Sequence, residues 1–136
     1  MLRVYLAGGM EGLSREQMTA WRTTAKEKLK AAGVKSLDPT AVSLGGNPTS
    51  AVIVQSNKFA IRNSMVVLAE VEERNPVSIG TIGEIVYAFH VNKPVIIFGK
   101  GARKNHPWLV AHAAVVKETL DEAIEELLCA FGVYYV

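Results

Sequence analysis

The sequence predicts an α/β protein: a doubly wound, parallel, five-stranded sheet with helices on both faces. Three observations predict it. Short apolar runs alternate with amphipathic segments that carry capping residues at their starts, the pattern of strand–helix–strand units with right-handed crossovers. The run Pro94-Val95-Ile96-Ile97-Phe98 is apolar throughout, as in a strand buried on both faces. The first strand runs straight into Gly8-Gly9-Met10, a glycine-rich loop followed by a helix.

Each element has its local reason. Arg3-Val4-Tyr5-Leu6-Ala7 is the first strand. Ser14-x-x-Gln17 caps the next helix, whose Trp21, Ala25 and Leu29 share one face and which stops at Gly33. Val34 to Leu37 is a second strand closed by Asp38-Pro39, because the residue before a proline is held extended. Thr40 to Ser50, with Gly45-Gly46-Asn47-Pro48, is long for a connection and reads as a lid or binding loop. Ala51 to Asn63 is helical by the spacing of Val52, Phe59 and Ile61, and Met65 to Ala69 is the third strand. The acidic stretch Glu70 to Val77 reads as a solvated loop. A helix that opens near Gly80-Thr81 ends at Asn92-Lys93-Pro94, and the fourth strand follows. One helical turn near Pro107-Trp108-Leu109 and a fifth strand, Ala113 to Val116, precede Thr119-x-x-Glu122, which caps the helix of Leu120, Ile124, Leu127 and Leu128. Cys129 on that helix is expected to be a buried small hydrophobe. The apolar tail Phe131 to Val136 is expected to be covered by a partner subunit or to lie over a neighbour's site.

With 136 residues the chain suffices for one domain, taken as 1–136. At 49% hydrophobic and a formal charge of +2, neither a disordered chain nor a basic nucleic-acid surface is indicated, so the expected partner is a small molecule and not a nucleic acid polymer. A single cysteine rules out an internal disulfide framework and suits a reducing cytoplasm, the expected location. The N-terminus meets glycines too early for a signal peptide, and no apolar run approaches the ~20 residues of a membrane span, so no membrane association is expected.

Candidate chemistry concentrates in Ser78-Ile79-Gly80-Thr81-Ile82-Gly83-Glu84. Glycines allow close approach to a ligand, and the free amides of a helix start favour the ionised form of Glu84. Thr81-x-x-Glu84 is equally a capping box, a purely structural device, and on this stretch alone that reading stands ahead. In open α/β sheets, however, ligands bind at the carboxyl ends of the strands where the strand order reverses. If the first strand lies beside the third, Gly8, Gly9, Met10, Asp38 and the Ser78 to Glu84 loop converge there. The Gly-x-Gly-x-x-Gly dinucleotide pattern and the phosphate-loop pattern are both absent, His90, His106 and His112 lack metal-ligand spacing, and no serine sits in a nucleophile elbow. No metal or cofactor is assigned. A glutamate in a glycine-lined pocket suits nucleophilic attack at a sugar carbon, passing through a glycosyl-enzyme ester. Tyr5 either holds that carboxylate or packs as an ordinary strand tyrosine with its hydroxyl at the surface.

The residues Tyr5-Leu6-Ala7-Gly8-Gly9-Met10, Trp21, Ala25, Gly33, Asp38-Pro39, Ser64-x-Val66-Val67-Leu68-Ala69, Gly80-Thr81-x-x-Glu84-x-x-x-Ala88 and Lys93-Pro94-Val95 occur in an order that resembles the nucleoside 2-deoxyribosyltransferase family over nearly the whole chain. The resemblance implies a flavodoxin-like (Rossmann-like) fold, homo-oligomers whose sites borrow residues from a neighbour, and cleavage of the N-glycosidic bond of 2-deoxynucleosides. It implies that Glu84 is the nucleophile and Tyr5 its orienting partner. It places Asn57 where the family usually has an aspartate that protonates the base; an amide can hydrogen-bond a base but cannot shuttle its proton. The Ser-Asp pair that normally opens the third strand is Ser64-Met65 here, and the sugar-contacting aspartate six residues before the nucleophile is Ser78. Ser78-x-Gly80-x-x-x-Glu84 instead resembles the related deoxynucleoside 5′-monophosphate N-hydrolases, in which serine and loop amides hold the phosphate, and Lys100, Arg103 and Lys104 could add to such a site. The reading placed first is a transferase that moves deoxyribosyl between bases. The alternatives are a 5′-monophosphate N-glycosidase and a nucleotide-binding protein with little turnover. A neighbour's contribution is expected near His106 to His112 and from the Tyr134-Tyr135 tail.

Overall fold

The computed structural model describes residues 1–41 and 46–132. Five strands form one all-parallel sheet: β1 (Arg3–Ala7), β2 (Lys35–Leu37), β3 (Val66–Glu70), β4 (Val95–Phe98) and β5 (Val115–Lys117), in the spatial order β2-β1-β3-β4-β5. Between them run α1 (Arg15–Ala31), α2 (Ser50–Arg62), α3 (Ile79–His90), α4 (Pro107–His112) and α5 (Leu120–Phe131). This is the predicted doubly wound fold, and β1 does lie beside β3, with Tyr5 opposite Val67.

The alternation of strand side chains splits the core in two. Val4, Leu6, Val66, Leu68, Ile96 and Phe98 face α1 and α5, where Trp21, Ala25, Leu29, Ile124 and Leu127 meet them. Tyr5, Ala7, Val67, Ala69, Val95 and Ile97 face α2, α3 and α4, against Ile61, Ile85, Ala88 and Leu109. The middle strands are buried on both sides, which is why they read as unbroken apolar runs.

The helix starts follow the capping residues. Ser14 and Gln17 form a reciprocal capping box for α1, and Gly33, with φ of +77°, supplies the left-handed residue that lets the chain turn into β2. Thr119 caps α5 by accepting from the Glu122 amide. Three expectations need correction. The helix after β3 begins at Ile79, not near Thr81: Ser78 is its N-cap, with Oγ accepting from the Thr81 amide at 3.1 Å, so Thr81-x-x-Glu84 is not a capping box. The buried stripe of α5 is Ala123, Ile124 and Leu127, and Cys129, two residues on, turns outward and is exposed. The fifth strand is Val115–Lys117 rather than Ala113 to Val116. Residues 42–45 of the proposed lid loop and 133–136 of the apolar tail lie outside the described residues, as does the Tyr134-Tyr135 contribution. Among the described residues no helix is long and apolar enough to cross a membrane.

Candidate active site

The strand order reverses between β1 and β3, so the loops after both strands and the start of α3 open onto one crevice. On α3 the buried positions are Thr81, Ile85 and Ala88. Glu84 falls on the same stripe and is therefore carried toward the sheet rather than toward solvent. Tyr5 arrives from below: as an odd-numbered residue of β1 it faces α2 and α3, and its ring is fully buried. Its hydroxyl donates to Glu84 Oε2 at 2.9 Å. Asn57 arrives from α2, one turn before the buried Ile61, and its Nδ2 donates to the same oxygen at 3.1 Å. Two donors thus fix Oε2. Among the described residues no donor reaches Oε1.

Burial raises the pKa of Glu84 above the ordinary glutamate value, opposed by the hydrogen bonds from Tyr5 and Asn57 and by the positive charge of Arg22. The position near a helix start therefore does not by itself hold this carboxyl at the usual acidity. Burial and the neighbouring carboxylate drive Tyr5 far upward, so its hydroxyl keeps its proton and acts only as a donor.

Arg22 of α1, absent from the sequence-based candidates, is fully buried under the loop that follows β1. Its Nη2 donates to the Gly8 carbonyl at 3.1 Å and its Nη1 to the Met18 carbonyl at 2.7 Å, while Nε lies 3.6 Å from Asp38 Oδ1. The Trp21 ring lies beside the guanidinium, 4.8 Å from its centroid. A side chain at Gly8 would meet Trp21 Cζ2 at 2.8 Å, so helix packing is sufficient reason for this glycine. A Cβ at Gly9 would lie 3.5 Å from Ser78 Cβ, so the β1 loop runs close to the start of α3 here. Met10 ends the loop with its carbonyl accepting from the Leu13 amide.

Asp38 takes up a role different from ligand contact. Its carboxylate accepts from Thr40 N and Oγ1 at 2.8 and 2.7 Å and pairs with Lys26 Nζ at 2.8 Å, with only 5% of the side chain exposed. Burial works against its charge, but the bonds from Lys26 and Thr40 prevail and hold it below the ordinary aspartate value.

Two cavities flank the first turns of α3. One, of about 570 Å³, lies between α2 and α3 and is lined by Ile53, Val54, Asn57, Lys58, Ile79 and Glu84 among others. Gly80 and Gly83 border it, and a Cβ at either would meet nothing within 4 Å, so packing does not demand these glycines. The other is a small pocket on the opposite side of α3, walled by Gly9, Glu70, Glu72, Ser78, Thr81 and Arg103. Ser78 Oγ there accepts from the Thr81 hydroxyl at 2.8 Å. Glu70, expected in a solvated loop, is instead the last residue of β3. Burial and the nearby Glu72 raise its pKa to about 7, against Arg22 and Arg74. Of the loop cations, Arg103 reaches the pocket but spends Nη1 on the Glu72 and Asn75 carbonyls, at 3.1 and 2.6 Å. Lys104 is buried, bonded to the Gly101 carbonyl and paired with Glu118 at 2.7 Å, away from the site; Lys100 does not line the pocket.

His106, expected near a neighbour's contribution, caps α4 through Nδ1, which accepts from the Trp108 amide. His112 bonds the Trp108 carbonyl.

The family model for nucleoside 2-deoxyribosyltransferase matches residues 4–125. No curated protein matches the sequence significantly. Among solved structures, the fold is similar to a 2-desoxiribosyltransferase from Leishmania mexicana, at 17% identity and a TM-score of 0.74, covering 96% of this chain and 99% of that one. A 2-deoxyribosyltransferase from Bacillus psychrosaccharolyticus is similar at 17% identity and a TM-score of 0.71, with 88% of each chain covered. A CMP N-glycosidase from Clostridium botulinum is similar at 17% identity and a TM-score of 0.65, over 95% of this chain and 99% of that one.

Proposed function

The chain belongs to the nucleoside 2-deoxyribosyltransferase family, and from that membership we propose that it cleaves the N-glycosidic bond of 2-deoxynucleosides and passes the deoxyribosyl group to another base, with Glu84 as the nucleophile. The observation that carries the reading is the shared oxygen: Tyr5 and Asn57 both donate to Glu84 Oε2. A carboxylate fixed by one oxygen presents the other, with its lone pairs free, toward the cavity. Oε1 attacks C1′ as the bond to the base breaks, and the oxocarbenium-like transition state is stabilised by the adjacent negative charge. The ester then yields the sugar to an incoming base from the face the first base left.

A neutral Tyr5 hydroxyl suits this role. It orients the carboxylate without neutralising it, whereas a cation paired directly with Glu84 would weaken the nucleophile. Retention of Tyr5 and Glu84 in contact favours an enzyme over a binding module, which has no use for a nucleophile.

The second reading, hydrolysis of 5′-monophosphates, is favoured by one observation: the Ser78 hydroxyl stands in the wall of the Gly9 pocket at the N-terminus of α3, where a neutral donor accommodates a phosphate. The same pocket carries the carboxyl groups of Glu70 and Glu72 against one guanidinium, Arg103, which is already engaged. That balance places the uncharged 5′-hydroxyl first. Val52, Val54, Phe59, Ile79 and Trp108 leave large apolar side chains exposed on the α2–α4 face, which supports assembly as a homo-oligomer through that face.

The test is base release from 2-deoxynucleosides and their 5′-monophosphates, each with and without a second free base. Base exchange on nucleosides supports the transferase; release from monophosphates alone, indifferent to added base, replaces it with the hydrolase.

A further inference from the structure

The geometry points to a leaving group that needs no proton from the enzyme: a heterocycle already positively charged while attached to the sugar, of the pyridinium or N7-alkylated purine type. This narrows the substrate class of the same site and rests on Glu84 as nucleophile.

A neutral base departs readily only if a ring nitrogen is protonated as the bond breaks, and a positioned acid supplies that proton at a gain of ~10²–10⁴ in rate. The side chain placed beside the nucleophile from α2 is an amide. Asn57 Nδ2 is bonded to Glu84 Oε2, and an amide has no proton to transfer. Among the described residues the 570 Å³ cavity has no carboxyl group besides Glu84 itself. The other ionisable groups are poorly placed. Tyr5 keeps its proton through burial and its bond to Glu84. Lys58 directs its ammonium over the Tyr87 ring, 5.0 Å from the centroid, a contact that belongs to the charged form. His90 borders the same cavity but at its far, exposed end, six residues and ~9 Å along α3 from Glu84, and the Tyr87 hydroxyl in its wall is held by Arg62, which donates to it at 2.8 Å. Arg22 and Asp38 are tied to each other beneath the β1 loop. Glu70 titrates in the useful range, but it opens on the pocket of Ser78, Thr81 and Ile82, the other side of α3 from Gly80, Gly83 and Glu84.

A cationic heterocycle removes the need. Oε1 forms its bond to C1′ while the C1′–N bond breaks, and that electron pair stays on nitrogen and cancels the ring's positive charge. Carboxylate and cation become ester and neutral base, and no proton moves. The cavity suits such a ring: Ile53, Val54 and Ile79 offer apolar walls, the Glu84 carboxylate attracts the charge, and the one lysine of the lining, Lys58, is turned onto the Tyr87 ring.

The experiment measures kcat/KM, corrected for spontaneous loss, for 2′-deoxyguanosine, N7-methyl-2′-deoxyguanosine and the 2-deoxyriboside of nicotinamide, each also as the 5′-monophosphate. The enzymes are the wild type, Asn57→Asp and Glu84→Gln. The expected result is a preference of the wild type for the cationic substrates of about a hundredfold or more, shrinking about tenfold or more in Asn57→Asp as an acid is restored for the neutral base. Equal turnover of neutral and cationic substrates by the wild type overturns the inference. If Glu84→Gln then loses both activities, the nucleophile stands and only the leaving-group inference falls. If Glu84→Gln keeps them, or the folded wild type turns over nothing in the panel, both fall.

Discussion

The Tyr5 hydroxyl donates to Glu84 Oε2 at 2.9 Å, joining the second core layer of β1 to the second turn of α3 across 79 residues of sequence. Tyr5 is fully buried and its hydroxyl has this carboxylate as partner, so the contact satisfies a buried polar group and, in the proposed mechanism, aims the nucleophile.

Tyr5→Phe keeps the ring and removes the donor. The expected outcome is a fall in kcat/KM of about 10- to 100-fold with a stability change of only about 1 kcal/mol. The hydrogen bond also lowers the Glu84 pKa, so without it the acid limb of the pH–rate profile moves to higher pH. A pH series of kcat/KM checks both, and an unmoved limb would sever the link between the two residues.

Arg22→Met removes a fully buried cation from Asp38 and a donor from the Gly8 carbonyl. A loss of about 3 kcal/mol is expected in denaturant unfolding. The Arg22 charge is buried at a cost and is favoured by the ionised Asp38 beside it. Protonating Asp38 in strong acid leaves the wild-type cation without that partner, so the difference between wild type and variant should narrow there.

Glu70→Gln should stabilise the protein in alkali. The folded pKa of Glu70, about 7, lies above the unfolded value, so its stabilising contribution is full below the unfolded pKa and is lost as pH rises through 7. The amide carries no such penalty. A gain of about 2 kcal/mol at pH 8, shrinking toward pH 5, is expected from paired urea titrations.

Gly8→Ala places a methyl group 2.8 Å from Trp21 Cζ2 and 3.2 Å from Arg22 Nη2. The overpacking should cost about 1–3 kcal/mol and displace the β1 loop, lowering activity beyond what the loss of folded protein explains. Thermal melts and specific activity at a temperature where the variant is fully folded separate the two effects.

How much of this was legible in the sequence varies with the physical signal. The fold was, because a sheet buried on both faces writes continuous apolar strands, and the caps at Ser14 and Thr119 mark helix starts directly. Tyr5, Asn57 and Glu84 stood out through the ordered resemblance, and the structure brings all three to one oxygen. Arg22 was missed because α1 was read for its apolar stripe; Met18, Arg22, Ala25 and Leu29 share that stripe, and a cation there was the available signal. Glu70 reads in sequence as the first of a run of acidic residues, although it is the last residue of a central strand at the switch point. The start of α3 was misread because Thr81 is as good a cap as Ser78, and only the hydrogen bond to the Thr81 amide decides between them.

The most direct measurement is of Glu84→Ala beside the wild type, with base release followed by chromatography and the wild type quenched during turnover for peptide mass mapping. The account predicts that the variant folds normally and releases no base, and that the wild type carries one deoxyribosyl group on the peptide containing Glu84. A variant within tenfold of wild-type activity, or a deoxyribosyl group found on another residue, would contradict it.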